Sequence, residues 1–154
     1  MMKRSAGILP FKVVDNKLFV YLEHPGGPYW KCINKWSICK GEYNKEKAID
    51  AAIREFEEET SFKIDKNKLF FIGSKKQSNN KLITIFGTNI DLDPSKMKSN
   101  TFKIEYPANS GIFKEFPEMD EAKWFNIEDA LSVIFDGQKS ILIKLNQMFI
   151  DNLL

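Results

Sequence analysis

Two cysteines, Cys32 and Cys39, and one histidine, His24, are the only thiols and imidazole in this 154-residue chain. Two thiols are too few for a disulfide scaffold. Three scattered candidate ligands with no C-x-x-C pair also exclude a structural zinc site. Long apolar runs are missing too: each stretch is only a few residues, against the roughly 20 a membrane helix needs. Met1-Met2-Lys3-Arg4-Ser5 leads straight into a strand-like alternation, without the apolar stretch and small-residue cleavage site of a signal peptide. No composition break, low-complexity tract or internal repeat divides the chain. The expectation is a single domain over residues 1–154, reduced and cytoplasmic. Its length suffices to bury roughly two-thirds of the surface of the unfolded chain.

Charge of one sign is also scarce, since 23 basic and 21 acidic residues leave a net +2. With no basic helix, sequence-specific nucleic-acid binding is not expected, nor is membrane attachment. The near-balance hides a concentration. Between Glu46 and Glu59 stand six acids (Glu46, Asp50, Glu55, Glu57, Glu58, Glu59) and two bases (Lys47, Arg54), a local −4 that leaves +6 elsewhere. Such a patch in a mildly basic protein suits a divalent cation holding an anionic substrate, with lysines steering it. A solvated helix face is the plain alternative.

Apolar runs over Ala6–Val14 and Lys17–Glu23 flank Asp15-Asn16, a hairpin signal. His24-Pro25-Gly26-Gly27-Pro28 reads as a loop, and Trp36–Cys39 as a short strand before Lys40-Gly41. From about Glu46 to Thr60 the period is helical, with Ile49, Ala52, Ile53 and Phe56 as the core face. Strands are expected near Leu69–Lys75, Leu82–Ile90 and Lys123–Asn126, helices over Ile127–Ile134 and Ser140–Leu154, and an irregular excursion over Asp91–Ser110. The class is α+β.

The helix holds the chemistry. At about 100° per residue, Glu55, Glu58 and Glu59 fall within about 100° of one another. Like charges at i, i+3 and i+4 repel, so such a group needs water or a bound cation. Carboxylate oxygens without a soft ligand favour Mg²⁺ or Mn²⁺.

Gly41-Glu42-Tyr43-Asn44-Lys45-Glu46, seven residues, then Arg54-Glu55-Phe56-Glu57-Glu58-Glu59-Thr60-Ser61-Phe62 resembles the box of the Nudix family, hydrolases of nucleoside diphosphates linked to another group. That pattern reads glycine, five residues, glutamate, seven residues, then Arg-Glu-apolar-x-Glu-Glu-x-Gly-apolar. The spacing holds over 17 residues from Glu46. Two departures stand out: four residues instead of five separate Gly41 from Glu46, and Ser61 occupies the last glycine position. Further strings resemble a subgroup of small bacterial Nudix proteins, among them Ser5-Ala6-Gly7-Ile8-Leu9, His24–Pro28, Trp36–Tyr43, Phe116-Pro117-Glu118-Met119-Asp120 and Gly137-Gln138. Cys39 stands where that subgroup commonly has proline.

The resemblance implies the Nudix fold, a mixed sheet sandwiched between helices (α/β/α), with the box as loop–helix–loop. It implies a pyrophosphatase cleaving its nucleotide to a nucleoside monophosphate and a second phosphorylated fragment. A nucleotide-sensing module without turnover is the alternative. Glu58 and Glu59 would ligate the metal, with Glu55 as a further ligand or the group orienting water, and the Lys40 or Gly41 carbonyl as an additional oxygen. Glu46 would pair with Arg54 and fix the loop, Arg54 orienting the glutamates. Glu118, with Glu115 and Asp120 as competitors, is the candidate for a late-loop ligand or base. Lys40 and His24 are candidates for phosphate contact, against a surface lysine and a packed loop histidine. Tyr29, like Trp30 and Tyr106, is a candidate for stacking on a base, against a role in packing.

Overall fold

The computed structural model describes residues 2–154. Its first two strands, β1 (Lys3–Val14) and β2 (Lys17–Pro25), form the expected hairpin. Asp15 and Asn16 both take positive φ (52° and 61°), the primed-turn geometry whose twist matches the flanking strands. β3 (Cys39–Tyr43) leads through a bend to α1 (Ala48–Thr60), followed by β4 (Phe70–Gln77) and β5 (Lys81–Asn89). Then come β6 (Thr101–Glu105), β7 (Phe113–Pro117), β8 (Met119–Asn126), α2 (Ile127–Val133) and α3 (Lys139–Ile150).

Strand order in the large sheet is β4-β5-β1-β2-β8, with β3 also paired to β1. β1 runs parallel to β5 and antiparallel to β2 and β3, so the sheet is mixed. Ser5 to Phe11 are all buried, because β1 lies mid-sheet with helices on both faces. One face carries Leu9, Phe11, Val20 and Leu22 against Ala130, Leu142 and Leu145 of α2 and α3. The other carries Ala6, Ile8, Tyr21 and Cys39 against Ala51, Ala52 and Phe56 of α1. This is the expected three-layer arrangement.

Local boundaries differ from the sequence reading. His24 and Pro25 belong to β2 and not to a loop; a register shift between them absorbs the proline's missing N–H. The third strand is Cys39–Tyr43, while Trp36 and Ser37 make only isolated bridges. Lys40 and Gly41 therefore sit in a strand. Glu46 lies outside α1, which begins two residues later with Lys47 as its cap. The excursion contains β6, paired with β7 as a separate two-stranded sheet. No residue of either strand is fully buried, so neither carries the apolar density that marks a core strand.

α1 is also rotated from its expected setting. Ala51, Ala52, Phe56, Glu59 and Thr60 are buried, while Ile49 and Ile53 are only partly so. Small alanines let the helix close onto the sheet, which carries Glu59 inward.

The helix ends at Ser61 in the left-handed conformation (φ 67°, ψ 5°), its N–H donating to the Glu57 carbonyl at 2.9 Å. A side chain is strained there, and the Ser61 hydroxyl contact to the Lys98 carbonyl is long at 3.2 Å. Ser61→Gly is expected to raise stability by about 1 kcal/mol in denaturant titration. A loss of stability would show that the hydroxyl matters more than the backbone.

Candidate active site

Arg54 organises the near end of the site. Its Nε donates to both Glu46 oxygens at 3.0 Å, and Nη2 donates to Glu46 Oε1 at 2.7 Å. Nη1 reaches Glu55 Oε1 at 2.9 Å and, more weakly, Glu58 Oε2 at 3.4 Å. The hydrogen bonds from Arg54 hold the Glu46 carboxyl below its ordinary pKa. The same bonds raise the guanidinium's own pKa. The turn that is one residue short therefore still delivers Glu46 to Arg54.

Gly41 on β3 faces α1. A Cβ there would stand 2.1 Å from Glu55 Oε2, so the glycine makes the room that Glu55 fills. Burial raises the Glu55 pKa even though Arg54 opposes it.

Glu59 lies deeper, 6% exposed, and its Oε2 is buried with no hydrogen-bond partner. Glu118 faces it from the bend between β7 and β8. Burial first, then Glu118, pushes the Glu59 carboxyl up to about 9. The Glu118 bend is held on both sides: its N–H donates to the Asn100 carbonyl at 2.8 Å, and its carbonyl accepts from Gly26 N–H at 2.8 Å. No Cβ fits at Gly26, where one would lie 1.9 Å from the Pro117 carbonyl oxygen.

A further acid, Glu23, went unnoticed in the sequence. It sits on β2 at 0% exposure, accepting from Tyr21 Oη at 2.8 Å, with Oε1 unpartnered. Burial raises its pKa to about 7, although hydrogen bonds from Tyr21 and Cys39 pull it down. The signal was an acid at an inward position of an otherwise apolar strand, on the same pleat face as Tyr21.

Among the described residues, no three acids, cysteines or histidines are already set as a metal cage. Arg54 accounts for part of this, because it draws Glu55 and Glu58 to itself. The residues nonetheless fit a divalent cation: Glu59 Oε2 is a buried, unpaired hard donor among other carboxylates, a costly arrangement unless something positive joins it.

Glu23 and Glu59 have folded-state pKa values above their unfolded range near 4.5. The stability they permit at low pH is therefore lost as pH rises through their folded values. Without metal, the melting temperature is expected to fall by several degrees between about pH 5 and about pH 9. A divalent cation should restore it at the alkaline end. A flat melting profile in chelator would contradict this picture of the buried acids.

The other sequence candidates have partners or surroundings of their own. His24 is on the opposite pleat face, its Nδ1 2.8 Å from Asp120 Oδ1 and its Nε2 2.7 Å from the Ile33 carbonyl. Burial works against its proton, but the two acceptors outweigh it and raise the pKa, since a protonated ring donates to both. Asp120 is thereby occupied as well. Glu115 accepts from Thr101 Oγ1 at 2.9 Å on the exposed hairpin. Tyr29 packs edge-on against Tyr106 with centroids 5.9 Å apart. Trp30 does the same with Phe135 at 5.4 Å. Lys40, one residue before Gly41, lines a separate cleft.

The NUDIX domain family model matches residues 1–145. The chain belongs to the Nudix family. Membership places it among hydrolases acting on pyrophosphate bonds of nucleotides. No curated protein sequence matches it. Solved Nudix structures do resemble it. A C. elegans Ap4A hydrolase binary complex is 18% identical with a TM-score of 0.65, covering 97% of this chain and 99% of that one. The NUDIX domain of Shewanella oneidensis NrtR complexed with ADP ribose is 11% identical with a TM-score of 0.65, covering 96% and 88%. A MutT/nudix family protein of Enterococcus faecalis is 18% identical with a TM-score of 0.59; the match covers 82% of this Nudix chain and 44% of that longer one. Identities this low show the fold alone. No helix among the described residues is long and apolar enough to cross a membrane.

Proposed function

We propose that the chain is a Mg²⁺-dependent pyrophosphohydrolase, with Mn²⁺ as a substitute, acting on a small nucleoside diphosphate linked to another group. The observation that carries this reading is Glu59, buried with an unpaired oxygen and ringed by Glu23, Glu55 and Glu118. Glu58, Glu59, Glu55 and the Gly41 carbonyl would hold the ion. Bound there, it supplies charge neutralisation at the pyrophosphate oxygens and a lower pKa for nearby water.

The chain's own residues do the rest. Glu46 fixes Arg54, which keeps Glu55 and Glu58 turned toward one region. Glu118, on a bend tied at both its N–H and its carbonyl, takes the proton of the attacking water. A water oxygen bonds to phosphorus as the bridging P–O bond breaks, leaving a nucleoside monophosphate and a second phosphorylated fragment. A hollow of about 380 Å³ beside Pro117, walled by Pro28, Tyr106 and Phe116, suits a nucleobase, and Tyr29 packs edge-on against Tyr106. The C. elegans structure is of an Ap4A hydrolase and the Shewanella domain holds ADP ribose. Both compounds join a nucleoside to a second group through phosphate anhydrides, the chemistry proposed for this chain.

The test is a nucleotide panel with Mg²⁺ and product identification by mass spectrometry. Turnover is expected with Mg²⁺ and none in excess EDTA. Undiminished rates in EDTA would sink the metal-hydrolase reading. Metal-dependent nucleotide binding without products would make the chain a sensing module.

A further inference from the structure

The stretch between β5 and β6 is irregular apart from one 3₁₀ turn (Pro94–Lys96), yet it is fastened along its length. The Trp124 indole N–H donates to the Leu92 carbonyl at 3.0 Å, and Met97 packs into the core beside α1. From there Lys98, Ser99 and Asn100 form a strap between the two facing acids of the site. At one end the Lys98 N–H donates at 3.1 Å to the carbonyl of Thr60, the residue after Glu59. The Lys98 carbonyl also accepts from the Ser61 hydroxyl at 3.2 Å. At the other end the Asn100 carbonyl accepts from the Glu118 N–H at 2.8 Å. Three residues of chain span at most about 11 Å, so bonds at both ends bound the distance from the end of α1 to the bend.

Ser99 stands midway along the strap, half-buried. Its Oγ accepts from the Met119 N–H at 3.2 Å and can donate to the Met119 carbonyl at 3.0 Å or the Asn100 carbonyl at 2.9 Å. One hydroxyl thus engages both backbone groups of the residue after Glu118. The Met119 N–H shares a peptide plane with the Glu118 carbonyl, which accepts from Gly26 N–H at 2.8 Å. That plane is therefore clamped from two sides, by the end of β2 on its oxygen and by Ser99 on its N–H.

We propose that Ser99 is a positioning residue, its hydroxyl holding the bend so that the Glu118 carboxylate stays opposite Glu59 where the water's proton is taken. The inference rests on the pyrophosphohydrolase reading for the proton transfer, but the hold on the bend does not. Ser99 bonds the backbone of Met119 and acts only through Glu118. Alanine there would free one side of the clamped peptide plane, and the plane carries the Glu118 Cα with it. A shift of about 1 Å at a reacting group costs up to about 100-fold in rate. With the Asn100 and Gly26 bonds still in place, a smaller loss of about tenfold is expected.

Ser99→Ala is measured alone and in the Glu118→Gln background, with Mg²⁺ and a nucleotide of the panel that the wild type turns over. Alone, it is expected to lower kcat about tenfold with KM within about twofold. Once residue 118 is glutamine, the same change should cost less than about twofold, because the group it positions no longer takes a proton. Equal losses in both backgrounds, an unchanged kcat, or a loss confined to KM overturns the proposal. Amide hydrogen exchange of the metal-free protein reads the hold without turnover. In Ser99→Ala the Gly26, Glu118 and Met119 amides should exchange at least about tenfold faster, with Ile8 and Leu9 of β1 unchanged. Unchanged exchange at Glu118 and Met119 overturns the proposal, as does faster exchange that extends to β1, which would be general loosening. Thermal unfolding checks that the variant folds; if it does not, Ser99→Cys, with a weakly bonding thiol, is measured in its place. A wild type that turns over no nucleotide of the panel would fault the enzymatic reading, and the exchange arm would then decide the hold on the bend by itself.

Discussion

Glu59→Gln is expected to cost about 10³-fold or more in kcat while raising the melting temperature of the metal-free protein at alkaline pH. Both effects have one cause. In the wild type, a buried carboxylate with an unpaired oxygen faces Glu118 and stands near Glu23 and Glu55. Glutamine keeps the length, removes the charge, and can donate an amide proton to Glu118 where the acid repelled it. The metal-free fold gains, and the ion loses an anionic ligand. Turnover with saturating Mg²⁺ and melting in chelator at about pH 8 read the two halves. A variant that is slower and also less stable would mean that Glu59 is structural. Glu118→Gln should separate from it, lowering the rate while leaving metal affinity nearly intact, because there the proton acceptor is removed and not the ion's seat.

Gly41→Ala is expected to lose about 10²-fold in rate with the fold retained. The added Cβ would lie 2.1 Å from Glu55 Oε2, and the carboxylate end of a flexible side chain is what must yield. Moving it breaks the 2.9 Å contact from Arg54 and takes Glu55 from its place beside Glu58. The strand itself tolerates alanine, since Gly41 has no positive φ. Steady-state kinetics alongside circular dichroism would show it. Full activity would mean that Glu55 has no fixed place in the reaction. By contrast, alanine at Gly26 meets backbone at 1.9 Å and is expected to disturb folding first.

The chain's local patterns determined a good deal. The positive φ at Asp15 and Asn16, the helix that presents Arg54, Glu55, Glu58 and Glu59, and the pairing of Glu46 with Arg54 all follow from short-range spacing or from motif resemblance. Ser61 was legible as a strained end because helix stops demand a left-handed residue whatever surrounds them. Tertiary structure decided everything that depends on which distant segments meet. The rotation of α1 that buries Glu59 comes from alanines closing on the sheet; periodicity placed Ala52 and Phe56 in the core but also Ile49 and Ile53, which are only half-buried. Glu118 reaches Glu59 because the β7–β8 bend is held by Asn100 and Gly26, and His24 is turned away because its pleat face opposes that of Glu23. Glu23 carries no motif: it is a buried charge inside an apolar strand. Charge and burial act through space, and chain spacing records them only where a single helix or turn brings the groups together.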